Sequence, residues 1–123
     1  MWYSQISSYY FTRLKKFIKV NCTTRDENDL PTQFPTVLFK DLTPMEIGQD
    51  LDNTTLNAIM YSCEIRVYTN KSESKCKELS YEVLGFMKSH RFNVNAMPLI
   101  DTKDGISVSI MRFRRVVTEN DIT

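Results

Sequence analysis

Glu64 and Arg66 stand two apart in "IMYSCEIRVYT", and Arg112, Arg114 and Arg115 crowd into "MRFRR" near the C-terminus. A carboxylate and a guanidinium on one strand face could flank a nuclease site, and clustered arginines could touch phosphate. The rest of such chemistry is missing around them. No Glu-x-Lys triplet following a separate Asp surrounds Glu64, and no glycine-rich phosphate loop occurs. His90 is the only histidine. No Ser or Cys in a sharp turn lies near it in sequence, so it reads as a solvated or dipole-satisfied residue at a helix end rather than a base. Cys22, Cys63 and Cys76 are an odd number without a Cys-x-x-Cys pair, which reads as free, buried thiols. One histidine and scattered cysteines do not make a zinc site, which needs four ligands in close pairs. Glu64 and Arg66 therefore read as a surface charge pair. The basic–aromatic "MRFRR" reads as an interface or as an edge protected by charge.

The elements that must position these residues follow from periodicity. Tyr3, Ile6, Tyr10, Leu14 and Phe17 recur every three or four residues, predicting a helix over about 3–20, with Lys and Arg near its end where they suit the helix dipole. A polar stretch, 21–33, leads to a strand over about 35–42, "PTVLFKDL". A second polar stretch, 43–55, leads to a strand over 59–69. There Ile59, Tyr61, Cys63, Ile65 and Val67 alternate with Met60, Ser62, Glu64, Arg66 and Tyr68, the pattern of a half-buried strand. Asn70 with Glu73 resembles a capping pair, predicting a second helix from Lys71 or Ser72 to about Ser89–Arg91. Cys76, Leu79, Val83 and Phe86 should face the sheet. Leu79→Ala should accordingly cost far more stability than Glu64→Ala on the opposite strand face. Gly85 costs this helix about 1 kcal/mol relative to Ala, a cost that close packing against a strand would explain.

Strands over about 92–100 and 106–117 finish the chain, joined by the hairpin turn "DTKDG". In the last strand Ile106, Val108 and Ile110 share a face while Met111 and Phe113 fall on the other. Either a bulge shifts the register or both faces are covered. The polar tail "TENDIT" is expected to be mobile. The order α-β-β-α-β-β gives an α+β fold, a mostly antiparallel four-stranded sheet with two helices packed on one face.

Composition bounds the function. The chain has 123 residues, enough for a single domain spanning 1–123. Sixteen Lys and Arg against fifteen Asp and Glu leave a net charge of +1, which argues against a non-specific nucleic-acid binder. No apolar run approaches the roughly 20 residues a membrane span needs. The opening "MWYSQISSYYFTRLKKF" lacks the layout of a signal peptide, so synthesis in a cytosol is expected. Trp2, Tyr3, Tyr9, Tyr10 and Phe11 occupy too much of the first helix's circumference to serve one core. Aromatic side chains of this kind are favoured where protein surfaces meet, which suggests an assembly component.

The leading aromatic helix, "FPTVLFKDL", the strand "IMYSCEIRVYTN" running into "KSESKCKELSYEVLGFM", and the closing "RFNVNAMPLIDTKDGISVSIMRFRRVV" together resemble tail terminator (tail completion, minor tail) proteins of long-tailed bacteriophages and related phage-tail-like particles. The likeness covers about residues 5–117 and is carried by "FPTV", "VYTN" and the final "MRFRR". It implies a sheet flanked by helices and a structural role. Such proteins form a ring, typically six-fold, at the head-proximal end of the tail. The ring stops polymerisation of the tube and offers a docking surface to the head connector. Partners would be other copies of the chain, the tail tube protein and head–tail connector proteins. The place of action would be the virion tail, reached from the host cytoplasm. No cofactor, membrane or specific nucleic acid is implied. A ring of identical subunits needs a heterologous interface. The stretches 21–33 and 43–55 are candidates to reach a neighbour, and Trp2, Tyr3, Tyr9, Glu64, Arg66, Arg112, Arg114 and Arg115 are candidate interface residues. A head–tail connector or stopper of the same particle is an alternative, and a small nucleic-acid-processing enzyme using Glu64, Arg66 and the late arginines is another.

Overall fold

Long alternating runs form the centre of the architecture. The computed structural model describes residues 2–24, 33–42, 45–49 and 56–122. A 3-10 turn, Trp2–Ser4, precedes helix α1 (Ile6–Ile18). Strands β1 (Asn21–Thr23), β2 (Thr36–Asp41), β3 (Met45–Gln49) and β4 (Leu56–Thr69) follow. Helix α2 (Glu73–Ser89), strands β5 (Asn93–Lys103) and β6 (Ile106–Val117) and a second 3-10 turn, Glu119–Asp121, complete the chain. The strands make one sheet in the order β1-β2-β4-β6-β5, with β3 pairing β4. Every pairing is antiparallel except the short β1–β2 pair.

Alternation assigns the faces. In β4 the side chains of Ile59, Tyr61, Cys63, Ile65 and Val67 point inward, opposite Val117, Arg115, Phe113, Met111 and Ser109 of β6. Onto this inner face α1 lays Ile6, Tyr10, Leu14 and Ile18, and α2 lays Cys76, Ser80, Val83, Phe86 and Met87. The apolar members form one core cluster with Val37 and Phe39 of β2. Each fully buried apolar side chain of this size contributes about 1.5–3 kcal/mol by leaving water. The two helices thus cover one face, and the residues between the inward ones form an outer face.

Local chemistry fixes the joints. Ser72, in extended conformation, caps α2 by accepting from the Lys75 backbone N–H (3.1 Å). The cap is therefore Ser72 rather than the Asn70–Glu73 pair. At the other end Arg91 takes a left-handed conformation (φ 69°). Its N–H donates to the Lys88 carbonyl and that of Phe92 to the Met87 carbonyl, a Schellman closure with an arginine where glycine is usual. Asp104 (φ 54°) and Gly105 (φ 80°) form the two-residue turn between the paired Lys103 and Ile106, the type I′ geometry that Asp-Gly favours.

Several sequence expectations change. The sheet has six strands, not four, because the polar stretches contain β1 and β3. Asn21–Thr23 and Met45–Gln49 are paired strands rather than free loops; residues 25–32, 43–44 and 50–55 lie outside the described residues. Helix α1 starts at Ile6, and Tyr3 belongs to the preceding turn. Phe17 is exposed, Ile18 taking the core position, although the Phe17 ring leans on Phe86 with centroids 5.3 Å apart. Leu79 is only partly buried, so it is not a central core residue. Gly85 lies on the exposed side of α2 with open space before it, so strand packing does not explain it. The ladder between β6 and β4 runs without a slip, and the bulges lie on the β5 side. Ile106, Val108 and Ile110 consequently face outward. The tail is tied down: the Thr118 N–H and hydroxyl donate to Asp121 Oδ2 (2.8 and 3.1 Å), and Ile122 is buried.

Candidate functional site

The outer face of the sheet brings together four of the sequence-nominated residues. Glu64 and Arg66 project outward from β4, and Arg112 and Arg114 from β6, with Glu64 directly opposite Arg112. Arg66 Nε donates to Glu64 Oε2 and Arg112 Nε to Glu64 Oε1, both at 2.9 Å. One carboxylate thus holds two guanidiniums. Glu64 is only 4% exposed, so the reading of a simple surface pair is corrected. The Arg112 side chain remains 57% exposed. Arg66 also meets the Tyr68 phenol, which, with Glu64, strengthens its hold on the proton against the opposing effect of burial. Arg114 is exposed, and among the described residues it has no carboxylate partner.

Apolar side chains frame these charges. Ile110 and Val116 precede and follow the two arginines on the outward row of β6, and both are exposed. Leu99 of the edge strand β5, opposite Ile110, is 76% exposed, and Met97 beside it in β5 is exposed too. Sequence reasoning did not single out these four. The alternation that set Ile106, Val108 and Ile110 on a different face from Met111 and Phe113 was the available signal, but which side of the sheet that face belonged to was not determined without the β4–β6 register.

The remaining nominated residues lie elsewhere. Arg115 follows the odd-numbered parity of β6 and points to the helix side. There its guanidinium donates to the Tyr10 hydroxyl and to Asp121 Oδ1 (3.0 Å). Burial works to raise the Asp121 carboxyl, but the two Thr118 donors and then Arg115 outweigh it and hold the group below the usual range. Tyr9 is half-buried, edge-on to Tyr10 at 5.0 Å, with the Arg13 guanidinium over its ring at 3.4 Å. Trp2 packs against the core from the first turn. The side chain of Tyr3 is outside the described ones. The aromatic group therefore sits on the helix layer and does not join the arginines.

The inner chemistry is subdued. Cys22, Cys63 and Cys76 are free and buried, and burial pushes each thiol up, away from the thiolate a nucleophile needs. Tyr61, buried and donating to Asp41 Oδ1, is likewise raised, burial first and Cys63 and Asp41 after it. His90 sits at the helix end, as the C-cap of α2, and is partly exposed; its ring lies against Phe86 (4.4 Å) and edge-on to Tyr10 (5.9 Å). Among the described residues no three His, Cys, Asp or Glu side chains gather as metal ligands. A shallow groove of about 240 Å³ runs beside the start of α2, between Val20, Pro35, Leu79 and the charged Lys75 and Glu78.

No helix among the described residues is long and apolar enough to cross a membrane. Set against models of protein families and against curated proteins, the chain matches none.

Proposed function

We propose that the chain is a structural subunit that closes into a ring on the head-proximal end of a phage tail tube, ends tube growth and presents a surface to the head connector. Its resemblance to tail terminator proteins in "FPTV", "VYTN" and "MRFRR" motivates the reading, and the α+β architecture with both helices on one sheet face agrees with it. The observation that carries it is the character of the outer face. Exposed Leu99, Ile110 and Val116 lie beside Arg112 and Arg114, a mixture of apolar and arginine surface found at protein interfaces. The partners under this reading are further copies of the chain, the tail tube protein and the connector proteins, within the virion. No catalytic step and no cofactor belong to it.

The two-layer build supports assembly by a heterologous contact. In a heterologous contact one patch of a copy meets a different patch of its neighbour, and a ring results when the rotation closes. Electron microscopy of particles assembled without this protein tests the role. Overlong tails lacking heads are expected, and tails of normal length joined to heads would refute it.

A further inference from the structure

The outer sheet face carries more than generic interface character, because its arginines are arranged. Each of the two guanidiniums bound to Glu64 donates through Nε, and the Arg112 side chain remains 57% exposed. An arginine has five N–H donors in a rigid fork, and engagement through Nε leaves the end-on fork available for a second oxyanion. Glu64 is buried and holds Arg66 through its other carboxylate oxygen, which makes the underlying layer a fixed support. Arg114 stands two residues further along β6 on the same face, about 7 Å away along the strand, with no carboxylate of its own among the described residues. Three guanidiniums around one carboxylate leave this patch with excess positive charge on a chain whose net charge is only +1.

We infer that Arg112 and Arg114 form a two-pronged anchor for a pair of carboxylates on a different protein, presented by an extended segment that also carries apolar side chains. The row on β6 reads Ile110, Arg112, Arg114, Val116, all exposed. Its complement is an extended segment with acidic side chains two residues apart and apolar ones on either side, since alternate residues of a strand share a face. The apolar flanks favour a protein over a nucleic-acid backbone, which would gain nothing from Ile110, Val116 or Leu99. The described surface of this chain does not itself supply the complement. On α2 the exposed Glu73, Glu78 and Glu82 are interspersed with lysines, and Glu78 pairs with Lys75 at 3.5 Å. The anchor requires no ring and stands independently of the proposed function.

The test uses the full chain and a fluorescein-labelled peptide alternating Val and Glu, with a Val–Ser peptide and a single-stranded oligonucleotide of equal charge as comparison probes. Binding is read by anisotropy, and self-association by sedimentation. The Val–Glu peptide should bind at least tenfold more tightly than either comparison probe. Arg114→Gln, which breaks no ion pair among the described residues, should weaken it at least fivefold, and the double variant R112Q/R114Q further, with melting temperatures showing that both fold. Lys75→Gln on the helix layer should leave binding unchanged. Failure of the acidic peptide to bind, or binding unaffected by Arg114→Gln, would overturn the proposal. So would arginine-dependent binding of the oligonucleotide at equal or greater affinity, and so would self-association abolished by R112Q/R114Q, which would make the occupant a second copy. Loss of peptide binding says nothing against tail termination, which particle morphology reports separately.

Discussion

Glu64 shows how burial changes the meaning of a residue. Its carboxylate accepts from Arg66 and Arg112 at the bottom of the outer face, and both arginines retain contact with water. Glu64→Ala therefore strips two charge-assisted bonds but strands no buried charge. A loss of about 1–3 kcal/mol is expected, at least as large as that of the half-buried Leu79→Ala, whereas Arg112→Gln should cost well under that because water screens its exposed side chain. Denaturant melts of the three variants give the order. His90 supplies a pH test. Burial, then Arg13 and Arg115, hold its folded pKa below the ordinary value, while Tyr10 and Phe86 pack its ring. The unfolded chain takes up the proton first as pH falls, so stability should drop below about pH 6.5 and level off under the folded pKa. His90→Gln should flatten that part of a stability–pH curve; an unchanged slope would assign it to other groups. At this scale the sequence was partly legible. Strand parity separated Glu64 and Arg66 from the core, and the same parity places Arg115 opposite Arg112 and Arg114. The depth of Glu64 was not legible, because it depends on which strand lies on either side of β4.

Helices and strands were read most securely where a period repeats over many residues, as in β4, β6 and α2. The two missed strands are β1, three residues long, and β3, five. They carry polar residues and are held by pairing with β2 and β4 rather than by a pattern of their own. Bulges in β5 also lacked a signal, since they compensate its mismatch with β6. Helix α2 offers a prediction about its two irregular positions. Gly85 is exposed with room for a methyl group, so Gly85→Ala should raise stability by about 1 kcal/mol. Arg91 closes the helix in a left-handed conformation that a side chain disfavours by roughly 1–2 kcal/mol. Arg91→Gly relieves this while adding freedom to the unfolded chain, for a net gain of about 0.5–1 kcal/mol. Thermal melts showing destabilisation by both changes would mean that the end and outer side of α2 are held by contacts other than those described.

At the scale of the whole molecule, the fold is a sheet with one face sealed by two helices and the other holding ordered arginines among exposed apolar side chains. The sealed side holds the hydrophobic core, and the proposed function places assembly on the open side. Under the proposed function, copies of the chain close on a finished tube, so that the tube ends in a surface that adds no more tube protein. The tail tube protein of the same particle, polymerised with and without this chain and imaged by electron microscopy, addresses that claim directly. With the chain present, tubes should stop lengthening and carry ring-shaped density of fixed copy number at one end only. Tubes that keep the same length distribution, with no density at either end, would contradict the account.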